Sequence, residues 1–190
     1  MDSYLDIKAL PNPEIIQSSV IAHLMQQLHK LLPSFDGRIG LAFPAYGQQR
    51  TLGGIIRVLG EGKDVDIIYQ QLQEIKDVTG YAVMTAIEPI PTMVNEYARY
   101  TRVHAKGNSR VQRLKRRHQA AGTWTEELAA NIAKKYSQSL NLPHVSLNSA
   151  SSGQVFILFV RRDTVQKKGE GLFNAYGLSL ISSNAAVPVF

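Results

Sequence analysis

No cysteine occurs among the 190 residues, tryptophan occurs once, and no apolar run approaches the length of a membrane span. The lack of cysteine removes disulfides, thiolate nucleophiles and thiolate zinc sites together, and fits a reducing compartment. The short apolar runs leave no candidate transmembrane helix. Met1-Asp2-Ser3-Tyr4-Leu5-Asp6 has no basic region ahead of an apolar stretch, so no signal peptide is expected. The expected location is cytoplasmic, with no membrane partner. There is also no His-Glu-x-x-His pattern and no paired acidic motif near the basic residues. Metal-assisted phosphodiester cleavage wants clustered carboxylates, so no metal and no small-molecule cofactor is expected.

What is present suits a folded, polyanion-binding protein. Apolar residues make up 44% and charged residues 19%, enough for an ordinary core and too apolar for disorder. The length fits one large domain or two small ones. A net charge of +6 favours anionic partners through Coulomb attraction and counterion release. Eight of the 21 Lys and Arg residues lie between Arg99 and Arg117, uninterrupted by any acid. The charge is therefore local.

Hydrophobic spacing divides the chain into two halves. Tyr4–Leu10 alternates as a strand. Asn12 reads as an N-cap with Pro13 at the first helical position, and Ile16 to Leu32 recur at helical spacing until Pro33 ends the helix. Arg38–Phe43 and Ile55–Leu59 read as strands, Val65–Ile75 as a helix with Asp64 or Asp66 in its first turn, and Tyr81–Ile87 as a strand. That βαββαβ order predicts a ferredoxin-like unit over 1–92. The aromatic RNA-stacking signature of a recognition-motif sheet is absent from it. Residues 93–190 are predicted to form a smaller α+β domain. It has a strand from Tyr97 to Lys106, a basic helix over Asn108–Ala120 and a second helix over Thr125–Leu140, capped by Thr123 or Thr125. Strands at His144–Leu147 and Val155–Val160 follow, then a charged turn over Arg161–Glu170 and a last strand at Leu172–Leu178.

On the basic helix, Arg110, Arg113, Arg116 and Arg117 share a face of about 120° at roughly 100° per residue, with Val111 and Leu114 toward the other side. Solvated helix faces usually mix charge signs for i,i+4 pairing, and this one does not. The planar guanidinium fork suits phosphate and guanine edges. Nucleic acid is the favoured partner. Membrane anchoring would need a bulkier apolar face.

RNA can be cut without a metal, because its own 2′-hydroxyl can attack the adjacent phosphate. The protein then supplies a base, a grip on the ribose and donors for the phosphate. The histidines are His23, His29, His104, His118 and His144. His29 lies at the edge of the stripe formed by Leu24, Leu28 and Leu32, beside Gln26. From the residues alone, a surface histidine without a role is the default for it.

Several stretches together resemble one family. They are Met1-Asp2-x-Tyr4-Leu5-Asp6-Ile7, Leu28-His29, Arg38-Ile39-Gly40-x-x-Phe43-Pro44, Arg113-Leu114-Lys115-Arg116-Arg117-His118, Ser149-x-Ser151-Ser152-Gly153-Gln154-x-Phe156, Tyr176-Gly177-Leu178-Ser179 and Val187-Pro188-x-Phe190. In order and spacing they resemble the CRISPR-associated endoribonuclease of the type I-F (Ypest, Csy) system, which processes precursor CRISPR RNA. The resemblance implies a ferredoxin-like domain followed by a domain with an arginine-rich helix. It implies cleavage of the repeat stem-loop at the 3′ base of the stem, with the product retained and the enzyme a subunit of the type I-F surveillance complex.

Carried onto this chain, the resemblance makes His29 the catalytic base, Ser149 the residue that positions the ribose, with Ser151 beside it, and Tyr176 the residue that orients the histidine. It makes Phe156 the aromatic under the terminal base pair and Arg102 a base-reading arginine. Arg110, Arg113, Lys115, Arg116, Arg117 and His118 fall on the RNA-gripping helix. The family pattern has glutamine where this chain has His104, and histidine offers one donor or acceptor per nitrogen in place of an amide edge. Two rivals are a hairpin-capping subunit that does not cut and a DNA-binding regulator. The second lacks a helix-turn-helix or dimerising heptad.

Overall fold

The computed structural model describes residues 1–104, 108–149 and 153–190, and the backbone alone over 108–111 and 135–140. It is a mixed α+β fold with two antiparallel sheets. The first half runs β1 (Ser3–Ala9), α1 (Gln17–Leu31), β2 (Gly40–Ala42), β3 (Ile55–Gly60), α2 (Gly62–Gln73), α3 (Lys76–Tyr81), β4 (Ala82–Met84) and β5 (Glu88–Pro89). Its strands lie in the order β2-β3-β1-β4, with β5 also paired to β1. The second half runs β6 (Glu96–Val103), α4 (Asn108–Ala120), α5 (Glu126–Leu140), β7 (His144–Asn148), β8 (Val155–Val165) and β9 (Val187–Val189). Its strands lie in the order β7-β8-β6-β9. No described helix is long and apolar enough to cross a membrane.

Periodicity explains the packing. Leu5 and Ile7 of β1 and Ile56 and Val58 of β3 are fully buried at two-residue spacing. They share a core with Val20, Ile21, Leu24, Met25 and Leu28 of α1 and with Val65, Ile68 and Leu72 of α2. Each such side chain contributes roughly 1.5–3 kcal/mol by burial. The same buried cluster continues into Tyr100, Val145, Leu147, Leu158 and Val160 of the second half. Polar links cross the same seam. Tyr46 donates its hydroxyl to the Val160 carbonyl at 2.9 Å and accepts from the Arg162 amide at 3.2 Å. Helix α1 packs against β7, which sets α1 against both sheets and fixes where its exposed edge can act.

Several expectations are corrected. The first helix starts at Gln17; Asn12 instead accepts from the Glu14 and Ile15 amides at 2.8 and 3.0 Å, closing an Asx turn. The α-helix does end just ahead of Pro33, at Leu31, and a short 3-10 segment (Leu32–Phe35) that tolerates proline at its start follows it. Tyr81 closes α3, so the fourth strand is only Ala82–Met84. Residues 172–178 are a turn, not a strand, and the last strand is β9. Asn174 and Gly177 explain the turn: the Gly177 amide donates to the Asn174 carbonyl at 2.8 Å, and Gly177 has φ +67°, the left-handed region glycine tolerates. The expected charged turn after Val160 begins later, since β8 runs on to Val165. Thr125 does cap α5, accepting from the Leu128 amide at 3.1 Å.

Candidate active site

Helix α1 buries Leu24 and Leu28, so the next residue, His29, falls at the edge of the buried stripe and is half-buried. Its Nδ1 lies 2.8 Å from the Ala175 carbonyl oxygen. A carbonyl only accepts, so Nδ1 carries the hydrogen and the neutral ring keeps its lone pair on Nε2. The Tyr176 ring stacks on the imidazole, with centroids 3.9 Å apart and planes 5° from parallel. Two contacts from the 174–177 turn therefore fix both the tautomer and the ring plane.

That turn is itself held from three sides. The Asn174 side-chain oxygen accepts from the Tyr176 and Leu178 amides at 2.8 and 3.2 Å. The Leu41 amide of β2 donates to the Gly177 carbonyl at 2.8 Å, and the Ser179 amide donates to the Tyr100 carbonyl of β6 at 2.7 Å. The Arg102 guanidinium stands 5.6 Å from the Tyr176 ring centroid and 5.4 Å from that of Phe156. His29, Tyr176, Arg102 and Phe156 thus form a row in which each touches the next. Such a row offers a proton acceptor, a cation and an aromatic face in sequence.

Ser149 directly follows β7, its amide donating to the Gln154 carbonyl at 2.9 Å and its carbonyl accepting from the Gly153 amide at 2.8 Å. One helical turn before His29, Gln26 donates through Nε2 to the Asn148 carbonyl at 3.0 Å. This ties the end of β7, one residue before Ser149, to the histidine's helix. Ser151 lies outside the described residues.

Helix α4 spans Asn108–Ala120, as its sequence predicts. Arg113, Lys115, Arg116 and Arg117 are exposed, and among the described residues no carboxylate pairs with Arg113, Arg116 or Arg117. The Arg110 side chain lies outside the described residues. Lys115 Nζ is 5.8 Å from the Trp124 ring centroid. His118 Nδ1 is 2.9 Å from Thr123 Oγ1, so this ring is pinned to the turn after the helix. His104 is exposed just past β6.

Residues 4–190 match the family model described as CRISPR-associated protein (Cas_Csy4). The chain belongs to the Csy4 family. It is 35% identical over 186 residues to the CRISPR-associated endonuclease Cas6/Csy4 of Pseudomonas aeruginosa (strain UCBPP-PA14), covering 94% of this chain and 96% of that protein. It is 33% identical over 193 residues to the CRISPR-associated endonuclease Cas6/Csy4 of Escherichia coli (strain UTI89 / UPEC), covering 100% of both. A crystal structure of the CRISPR RNA processing endoribonuclease Cas6b aligns over 100% of both chains at a TM-score of 0.36 and 12% identity, too distant to bear on function.

In this Csy4-family chain, three contributors escape sequence reasoning. The Ala175 carbonyl leaves no trace in residue type. Gln26 reads as an ordinary polar helix residue. Asn174 did carry a signal, since Asn three residues before Gly is a turn signature, but strand-like alternation in the same stretch masked it.

Proposed function

We propose that this protein is a metal-independent endoribonuclease that binds the stem-loop of the CRISPR repeat and cuts precursor CRISPR RNA at the 3′ base of the stem. The observation that carries this reading is the orientation of His29: Nδ1 spent on the Ala175 carbonyl, the ring stacked on Tyr176, and Nε2 left as the basic atom. In the reaction, Nε2 takes the proton of the 2′-hydroxyl beside the scissile phosphate. The 2′-oxygen bonds to phosphorus, the bond to the 5′-oxygen breaks, and that oxygen leaves with a proton from water while the proton held on Nε2 returns to solvent. The retained RNA ends in a 2′,3′-cyclic phosphate. Ser149, with Ser151 beside it, holds the ribose.

Phe156 stacks beneath the last base pair and Arg102 and His104 read bases at the foot of the stem. Arg110, Arg113, Lys115, Arg116, Arg117 and His118 grip the backbone along α4. Residues 1–92 act as a ferredoxin-like domain, a reading supported by the strand order β2-β3-β1-β4 and by helices after β1 and β3, and 93–190 as the RNA-binding domain. The protein works in the cytoplasm and stays on the guide RNA as a subunit of the type I-F surveillance complex. The curated relatives are themselves CRISPR-associated endonucleases.

The test is cleavage of a labelled repeat hairpin in EDTA at neutral pH, beside a copy with a 2′-deoxy at the scissile nucleotide. Cutting of the first and protection of the second are expected. Tight binding of both with neither cut would leave a capping subunit in place of an enzyme.

The 174–177 turn gives a second test. A Cβ on Gly177 would collide with the Leu41 side chain, at a backbone φ of +67°. Gly177→Ala should displace Tyr176 and with it the His29 ring. A misplacement of about 1 Å costs on the order of 10²-fold in rate, so single-turnover cleavage should fall about that much while hairpin affinity, carried by α4, holds. Equal losses in both would place Tyr176 in binding, not in catalysis.

A further inference from the structure

Beside α1, on the N-terminal side of His29, runs a groove of roughly 450 Å³ walled by α1, β7 and the turn carrying Gln49 and Arg50. On α1, Ser19, Ala22 and Gln26 line it and lead, at steps of three and four residues, to His29. Ser19 to His29 covers about 15 Å of helix. The Gln26–Asn148 hydrogen bond joins two of its walls, one turn from His29 and one residue from Ser149.

The opposite wall is the edge strand of the second sheet. The Ser149 amide donates to Gln154 and the Pro143 carbonyl accepts from Val160, so ladder bonds fall at odd positions. His144, Ser146 and Asn148 therefore turn their amides and carbonyls away from β8, and the Asn148 carbonyl is the one that meets Gln26. The third wall holds Gln49 and Arg50 at φ 50° and 60°, a left-handed conformation that side chains other than glycine seldom adopt. Arg50 is exposed and pairs with no carboxylate among the described residues. Among the described residues no aspartate or glutamate lines the groove.

We infer that this groove carries the single-stranded RNA immediately 3′ of the cut. The inference rests on the enzyme reading above and extends it past the scissile bond. Phe156 neighbours Arg102, Arg102 neighbours Tyr176, and Tyr176 stacks on His29. With the foot of the stem on Phe156, the phosphate to be cut comes to His29, and the continuing strand leaves on the side where the groove opens. Amides, hydroxyls and one unpaired guanidinium with no opposing carboxylate suit a ribose-phosphate chain. A peptide strand added to β7 would use the outward backbone groups but neither Arg50 nor the continuity with His29.

The experiment compares two 2′-deoxy hairpins that the protein cannot cut. One stops at the phosphate beyond the scissile nucleotide; the other continues for a few unpaired nucleotides. The extension should tighten binding roughly three- to tenfold, and Arg50→Glu should erase that gain and flatten its salt dependence by about the share of one phosphate. Arg50→Gly, which suits the left-handed backbone, should erase most of it too, so a folding defect cannot account for the loss. An extension without effect, or substitutions that weaken both hairpins alike, would overturn the inference. Failure of the enzyme reading has its own signature. An all-ribose hairpin bound but uncut removes the catalysis while the extension still scores the groove, whereas no binding of either hairpin removes both.

Discussion

Replacing His29 with alanine should lower single-turnover cleavage of the repeat hairpin by about 10²–10⁴-fold, the usual worth of a positioned general base, and leave hairpin affinity nearly intact. The separation follows from where the side chain sits. His29 is on α1, fixed by Ala175 and Tyr176, and the exposed cations proposed to hold RNA are on α4. The substitution should fold, because His29 is half-buried at the margin of the core while Leu28 beside it is fully buried. Cleavage assays under enzyme excess, run beside filter binding, check both halves. Cutting that survives in the pure variant would remove His29 from the reaction. Tyr176→Leu should give a smaller rate loss, since the Ala175 carbonyl would still hold Nδ1 while the ring plane is freed.

Reversing charge on the arginine face should do the opposite. Arg116→Glu combined with Arg117→Glu replaces two unpaired, exposed cations with anions. Hairpin affinity near physiological salt should fall by about 10²-fold or more, and the slope of log affinity against log salt should become shallower by about 0.9 for each duplex phosphate the protein no longer neutralises. Cleavage at saturating RNA should stay close to that of the unaltered protein, because none of the row from His29 to Phe156 is touched. An unchanged slope would mean that α4 is not the RNA surface. Together the two variants give a double dissociation, one losing rate and the other grip, which a capping subunit with no chemistry could not show.

The sequence reveals these two surfaces unequally. Helix α4 is legible end to end, because a run of cations over an apolar back can be read without knowing what it packs on. The core stripe of α1 is legible for the same reason, but its start is not. Asn12-Pro13 satisfies the rules for a helix N-cap and for an Asx turn alike, and only tertiary packing chooses between them. His29 could be placed at the stripe's edge and no further, since its partner is a backbone carbonyl 146 residues away, and any residue supplies a carbonyl. Tyr176 was legible as an aromatic in an alternating stretch, which suggested a strand; the turn it occupies is dictated by Asn174 and Gly177. The roles proposed for Ser149, Phe156 and Arg102 rest on family resemblance. The structure adds the row that Arg102 and Phe156 form with the stacked pair.

The seam between the two halves has a thermal corollary. The imidazole belongs to α1, its carbonyl and ring partners to the turn tied to β2 and β6, and Ser149 to the end of β7. Warming that loosens α1 from β7 would part these groups while each sheet stayed paired. Such a protein would stop turning over below the temperature of its main heat-absorption peak. Its inactivation curve would lead its calorimetric melting curve, and bound hairpin, by gripping both sides of the seam, would draw the two together.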